Sequence, residues 1–204
     1  IKIYPCQLLA NADLYAYWQR GEYHPYTQEE LVALIADIKP AIPLYCRVNR
    51  VIRDIPSIHV VEGNKRTSLR QDVQLELKKR GQVCRCIRCR EVKTHDVDFD
   101  TLTLGDMVYH PSRAEEHFLT YTTPEERIAG YLRLSLPAPD APQMNVPDLE
   151  GAALIREVHV YGQSLPVGGE EEGAAQHVGL GGRLLAQAEA VARRHGYARL
   201  AVIS

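Results

Sequence analysis

Gln176-His177-Val178-Gly179-Leu180-Gly181-Gly182-Arg183 decides the reading of the C-terminal half of this chain. Before it, Ala152–Tyr161 is rich in β-formers and predicts a strand; after it, Leu184–Arg194 places Leu184, Leu185, Ala188 and Val191 at helical spacing, and Leu200–Ile203 predicts another strand. Strand, Gln-x-x-Gly-x-Gly, helix, strand is an order with a physical use. A pyrophosphate is held by backbone N–H groups at a helix N-terminus, where the helix dipole favours an anion. Glycines at the turn allow close approach and left-handed φ. A dinucleotide-binding turn is the rival reading, but it requires Gly-x-Gly-x-x-Gly directly after its strand. Here a Gly- and Glu-rich loop, 162–174, intervenes, and Leu184 stands at the third glycine position.

Working toward the N-terminus, Pro137–Pro147 contains four prolines and reads as a loop. Strands are expected around Ile128–Leu136, His117–Thr122 and Val97–Thr103, with Thr123-Pro124-Glu125-Glu126 as a turn. Further upstream, Thr67–Arg80 and Gln28–Ile38 have helical periodicity, the latter with Thr27 and Glu30 spaced for a capping box. Ala12–Arg20 predicts a short helix ended by Gly21, Leu44–Arg50 alternates like a strand, and Ile52–Val61 reads as a loop. The chain has no internal repeat.

The 204 residues, 45% apolar and 25% charged, suit one large globular domain or two small ones. No apolar run approaches the roughly 18 residues of a membrane helix. The start, Ile1-Lys2-Ile3-Tyr4-Pro5, has neither a signal-peptide pattern nor an initiator Met, so a fragment is expected. The net charge of −2 is uneven: residues 47–93 carry 13 Lys and Arg against 5 Asp and Glu, and residues 94–204 carry 8 against 16. Arg47, Arg50, Arg53, Lys65, Arg66 and Arg70 form the front of the basic segment, and Lys78-Lys79-Arg80 follow. Two readings stand: phosphate contacts to a folded RNA, or ion pairs within the chain to Asp54, Asp72 and Glu91.

Cys84-x-Cys86-x-x-Cys89 puts three of the five cysteines within six residues. Thiols that close do not readily bridge each other, so metal ligation by Cys84, Cys86 and Cys89 is the expectation. Structural Zn²⁺ wants a fourth ligand, for which Cys46, His59 and His95 are candidates. Three reduced thiols are the plain alternative, and an iron–sulfur cluster fits these spacings less well. Glu157 and His159 invite thoughts of a general base, though their strand more simply turns them to core or cofactor. His110 and His117 show no constellation in sequence and read as structural. Trp18 and most tyrosines read as core, with Tyr109 and Tyr121 candidates for stacking on a base.

The glycine string in its setting resembles the acetyl-CoA site of the GCN5-related N-acetyltransferase superfamily. Ile155-Arg156-Glu157-Val158-His159-Val160-Tyr161-Gly162, Arg47-Val48-Asn49-Arg50-Val51-Ile52-Arg53-Asp54-Ile55-Pro56, Arg88-Cys89-Arg90-Glu91-Val92 and Lys2-Ile3-Tyr4-Pro5 together resemble the family of the Elongator catalytic subunit along nearly the whole chain. The resemblance implies an α/β chain in three parts. Residues 1–46 would be the C-terminal end of a radical-SAM domain and 47–93 a basic linker with a zinc knuckle. Residues 94–204 would be an acetyltransferase domain with a mixed, mostly antiparallel sheet, incomplete at its C-terminus. It also implies acetyl transfer to C5 of the wobble uridine of tRNA. Acetyl-CoA would lie on Glu157, Val158, His159 and Val160 and on Gln176, His177, Val178, Gly179, Leu180, Gly181, Gly182 and Arg183. The tRNA would lie on Arg47, Arg50, Arg53, Lys65, Arg66 and Arg70. The family's [4Fe-4S] cysteines and S-adenosylmethionine site have no counterpart here, and its tyrosine-bearing final segment follows Ser204, so this fragment alone is expected to be inactive. A cytoplasmic protein without membrane contact is implied, with other Elongator subunits as partners in a eukaryote and none otherwise. Transfer to a protein lysine and a non-catalytic, zinc-containing RNA-binding module are the alternatives.

Overall fold

The structure, a computed structural model, describes residues 1–93, 97–142, 145–161 and 175–202, with backbone alone at 175–178. It divides into two compact units, Ile1–Cys89 and Arg90–Ser204, each with its own hydrophobic cluster.

In the first unit, strand β1 (Gln7–Leu9) is followed by helices α1 (Leu14–Gln19) and α2 (Gln28–Ile38), strand β2 (Val60–Gly63) and helix α3 (Leu69–Lys79), with a single turn, α4 (Ile87–Arg90), at its end. The capping box forms as the sequence predicts: Glu30 N donates to Thr27 Oγ1 at 3.2 Å, and Thr27 N donates to Glu30 Oε2 at 2.8 Å. Leu31, Ile35 and Ala36 of α2 and Leu69, Val73 and Leu77 of α3 share one core with Ile42, Val48, Val51 and Cys86. That core draws on both segments that the sequence reading separates at residue 46. The expected strand Leu44–Arg50 does not form; its one sheet-like contact is a bridge between Arg50 and Lys2. The reason is its burial: Val48 and Val51 point inward three residues apart, a spacing that seats a loop on two helices and leaves no period-2 face. The expected loop Ile52–Val61 runs into β2, which pairs antiparallel with β1. Strands of three and four residues are too short to show a period. Trp18, expected in the core, is half-buried, its ring 5.5 Å from that of Tyr15.

The second unit is a five-stranded sheet in the order β3 (Thr103–Tyr109), β4 (Ala114–Thr122), β5 (Ile128–Pro137), β6 (Ala152–Val160), β7 (Arg199–Val202). The first three pairings are antiparallel and β6–β7 is parallel, the mixed, mostly antiparallel sheet of the sequence reading. The first strand is displaced from expectation. Phe99–Thr101 is a 3-10 turn, with the Asp98 side chain accepting from Asp100 N, and the strand lies beyond it. β3 is an edge strand with mostly exposed side chains, so its apolar pattern is faint.

Helix α5 (Ala175–Arg194) makes the crossover from β6 to β7. It starts nine residues before the Leu184 at which the sequence places it. Gly179, Gly181 and Gly182 are therefore helical, and none has a left-handed φ. The cause is the apolar stripe: Leu180, Leu184, Ala188 and Val191 are all buried, and Leu180 is reached only if the helix runs through the glycines. The helix seats against β5 at Gly130. A Cβ there would lie 3.1 Å from the His159 carbonyl oxygen, 3.2 Å from Leu180 Cδ2 and 3.4 Å from Leu184 Cδ1. Gly130→Ala is expected to cost about 1–3 kcal/mol through overpacking against backbone, read as a lowered denaturant midpoint; an unchanged midpoint would mean that α5 does not seat there.

Candidate functional site

Three clusters of functional side chains emerge. The first lies across β5 and β6. Tyr131 Oη donates to Glu157 Oε1 at 2.8 Å and Arg133 Nε to Glu157 Oε2 at 2.8 Å, while His159 Nε2 lies 2.9 Å from Oε1. Arg133 reaches on to Tyr109 Oη at 3.2 Å, and its guanidinium covers Phe118, 5.0 Å from the ring centre. Burial pushes the Glu157 carboxyl up, but the bonds from Tyr131 and Arg133 outweigh it and hold the group below the ordinary carboxylate range. Burial and the same bond push the Tyr131 phenol well above its usual value. A carboxylate with this many donors is a weak base. Glu157 thus anchors the sheet face.

Val158 and Val160 alternate with Glu157 and His159, and Val160 packs against the core under α5. A Cβ on Gly181 would lie 3.8 Å from Val160 Cγ2, whereas one on Gly179 or Gly182 would meet nothing within 4 Å among the described residues. Leu180 is core, and Arg183 lies over the Tyr121 ring at 4.7 Å. Tyr121 is 4% exposed, which removes it as a stacking platform. The side chains of Gln176, His177 and Val178 lie outside the described residues. β7 pairs with Ala152–Ile155 of β6, so among the described residues the backbone of Glu157–Val160 has no strand on that side.

The second cluster is the cysteine triad. The sulfurs of Cys84, Cys86 and Cys89 all lie within 4.8 Å of one another, with Cys86 buried. Cys84 and Cys89 both bond to Cys86, and these bonds hold its thiol far below the usual range. The bonds to its neighbours push Cys89 far up, and the bond to Cys86 raises Cys84. The thiolate is the form of cysteine that binds metals. Zn–S bonds of about 2.3 Å in a tetrahedron put sulfurs about 3.8 Å apart, which three such sulfurs can meet. The sequence reading missed Lys39: it is wholly buried, with Nζ 4.0 Å from Cys89 Sγ. As a lysine between a helix and a proline it gave no signal. Cys46 packs beside the triad, and its carbonyl accepts from Ile87 N at 2.9 Å, but its sulfur is outside the group of three. His59 is exposed and likewise outside it, and His95 lies outside the described residues.

Among the basic residues, Arg53 and Lys65 are exposed, Arg50 pairs with Asp54 at 2.5 Å and Arg66 with Asp72 at 3.6 Å. Arg70 is turned inward: its Nη2 donates to the carbonyls of Val48 and Asn49 at 3.0 and 3.1 Å, tying the 47–53 segment to α3.

The third cluster overturns a sequence reading. His117 and His110 do have a constellation. Glu115 Oε1 lies 3.1 Å from His117 Nε2 and 3.1 Å from His195 Nε2, and Oε2 lies 3.1 Å from His110 Nε2. The signal available in sequence was Glu115 and His117 two apart on one strand face; the approach of His195 depends on where α5 ends.

The first unit defines the class: residues 1–79 match the family described as Radical_SAM C-terminal domain. The particular relatives follow from the whole chain. It is 39% identical over 208 residues, 100% of the chain and 45% of the relative, to tRNA uridine(34) acetyltransferase of Dehalococcoides mccartyi (strain CBDB1). It is 34% identical to Elongator complex protein 3 of Homo sapiens, covering 100% of the chain and 38% of that protein. Its fold matches the archaeal Methanocaldococcus infernus Elp3 with an N-terminal deletion at a TM-score of 0.83 and 30% identity, over 98% of the chain and 49% of that structure. The chain is thus similar along its whole length to proteins of these names, and it spans less than half the length of each of them.

Glu157 gives a pH test. Its folded-state pKa is lowered, so its contribution is complete above the unfolded value of about 4.3 and is lost as pH falls through the folded value. The stability gap between wild type and Glu157→Gln is expected to be widest above pH ~5 and to close on further acidification; a gap independent of pH in urea melts would show that the charge of Glu157 contributes nothing.

Proposed function

We propose that this chain is the acetyl-CoA- and tRNA-binding part of a tRNA uridine(34) acetyltransferase. The observation that carries the reading is similarity along the entire chain to proteins of that name. The acetyltransferase domain is 94–204, a GCN5-related fold, and acetyl-CoA lies along the outer half of β6. There the backbone groups of Glu157–Val160, unpaired by β7, suit the amides of the pantetheine arm. The pyrophosphate sits at the start of α5, where the first turn of any helix leaves four N–H groups without intrahelical partners. A Cβ on Gly179 or Gly182 would meet nothing within 4 Å among the described residues, which suits a ligand at that end of the helix. The Glu157 side chain, committed to Tyr131 and Arg133, orients β6 and takes no proton.

The radical-SAM end covers 1–46 and the basic linker 47–93. Zn²⁺ on Cys84, Cys86 and Cys89 staples the linker. Three thiolates around Zn²⁺ leave one net negative charge, which the buried Lys39 ammonium balances. Arg47, Arg50, Arg53, Lys65 and Arg66 contact tRNA phosphates, and Arg70 holds their segment in place. In the complete protein a [4Fe-4S] centre with S-adenosylmethionine supplies the radical chemistry that places the acetyl-derived unit on C5 of the wobble uridine. Other Elongator subunits join it in a eukaryote. The site of action is the cytoplasm; no helix among the described residues is long and apolar enough to cross a membrane.

The test is release of free CoA from acetyl-CoA by the full-length protein, with and without tRNA. Release is expected to rise with tRNA, and the rise to fade between about 50 and 200 mM salt, as phosphate contacts require. Arg50→Glu with Arg53→Glu is expected to weaken the tRNA effect and flatten its salt dependence. Turnover that ignores tRNA and needs a lysine peptide would replace this reading with protein acetylation.

A further inference from the structure

Glu115 and His117 project from the same face of β4, and His195 follows the last turn of α5 directly. Their ligating atoms all lie within 4.8 Å of one another. The decisive detail is on the far side of each ring. His117 Nδ1 lies 2.9 and 3.0 Å from the two oxygens of Asp106, and His195 Nδ1 lies 2.9 Å from the Val191 carbonyl oxygen. Carboxylate and carbonyl oxygens only accept, so both Nδ1 atoms carry the hydrogen. In a neutral imidazole Nε2 is then a bare lone pair. Both Nε2 atoms converge on Glu115 Oε1, each at 3.1 Å, which makes a three-atom donor set of the size a cation can occupy.

We propose that Glu115, His117 and His195 are the ligands of a Zn²⁺ site that opens on the neighbouring cavity. Imidazole and carboxylate are Zn²⁺ donors, and bonds of about 2.0–2.1 Å in a tetrahedron set ligand edges of about 3.3 Å, close to both N···O distances here. A metal-bound imidazole normally gives its other N–H to a carboxylate or a carbonyl, the roles of Asp106 and Val191. Charge agrees: the dication offsets Glu115 and Asp106. His117 is 5% exposed at its side chain, so the site has a dry wall, while His195 and Glu115 line a cavity of about 870 Å³ together with His110 and Tyr197. His110, whose Nε2 is 3.1 Å from Glu115 Oε2, is within reach as fourth ligand; otherwise water from the cavity takes that position.

This site is independent of the cysteine triad and of the acetyl-CoA reading. The experiment is a Co²⁺ titration of the chelator-stripped 204-residue chain, followed by absorbance. Thiolate-to-cobalt charge transfer in the near ultraviolet reports the cysteines; visible d–d bands without it report nitrogen and oxygen ligands. One equivalent of the second kind is expected in wild type and in Cys84→Ser, displaced by Zn²⁺, and lost in Glu115→Gln and in the partly exposed His195→Ala. Absence of that equivalent in wild type, or its persistence in both variants, would overturn the site and leave the cluster as protonated imidazoles around a carboxylate.

Discussion

The seating of α5 on β5 constrains everything in the second unit. At Gly130 the sheet has no side chain, and Leu180 and Leu184 descend to within van der Waals contact of the backbone. Because Leu180, Leu184, Ala188 and Val191 share one face, burying the first obliges the others to follow. Each large member contributes roughly 1.5–3 kcal/mol by leaving water. The helix must then return its chain to the sheet beside β6 and parallel to it, the arrangement a strand–helix–strand crossover permits. The same stripe sets the rotation of the helix: Gly181 toward Val160, Gly179 and Gly182 outward, Arg183 over Tyr121.

The two units handle buried charge in related ways. In the first, the Lys39 side chain, with no exposure, ends 4.0 Å from Cys89 Sγ. In the second, the Glu157 carboxylate is surrounded by a phenol, a guanidinium and an imidazole. An isolated charge at Lys39 would cost several kcal/mol, whereas Glu157, 34% exposed at its side chain, would lose less. Partnered, each fixes its surroundings: Glu157 ties β6 to β5 at the bulge beside Arg133, and Lys39 lies against Cys89.

What was legible in the sequence follows the length and clarity of each pattern. Helix Gln28–Ile38 was read with its true ends because the Thr27–Glu30 box is a local chemical signal. The strands 128–136 and 152–161 were found because their patterns run long. β1 and β2 were invisible at three and four residues, and β3 was misplaced because an edge strand need not alternate. The start of α5 was set too late because glycines read as turn breakers, although Leu180 continues the stripe; tertiary burial outweighed a propensity penalty of about 1 kcal/mol per glycine. The cysteines were found as a group because they are neighbours in sequence. Lys39, Glu115, His117 and His195 were not, because their proximity depends on how the chain returns on itself.

The geometry of α5 also separates the sites. Twenty helical residues span about 30 Å, with the glycine-bearing turns at one end and His195 just past the other. A group bound at the histidines is therefore too distant to touch anything held at the start of the helix. Its effect lies in joining the end of α5 to β4, at the point where the chain turns through Gly196, with left-handed φ, toward β7. That turn places β7 beside the inner half of β6 and leaves the outer half uncovered among the described residues. A cation at Glu115, His117 and His195 would thus hold the frame on which the exposed backbone of Glu157–Val160 depends, acting on that edge through the position of a strand and not through contact.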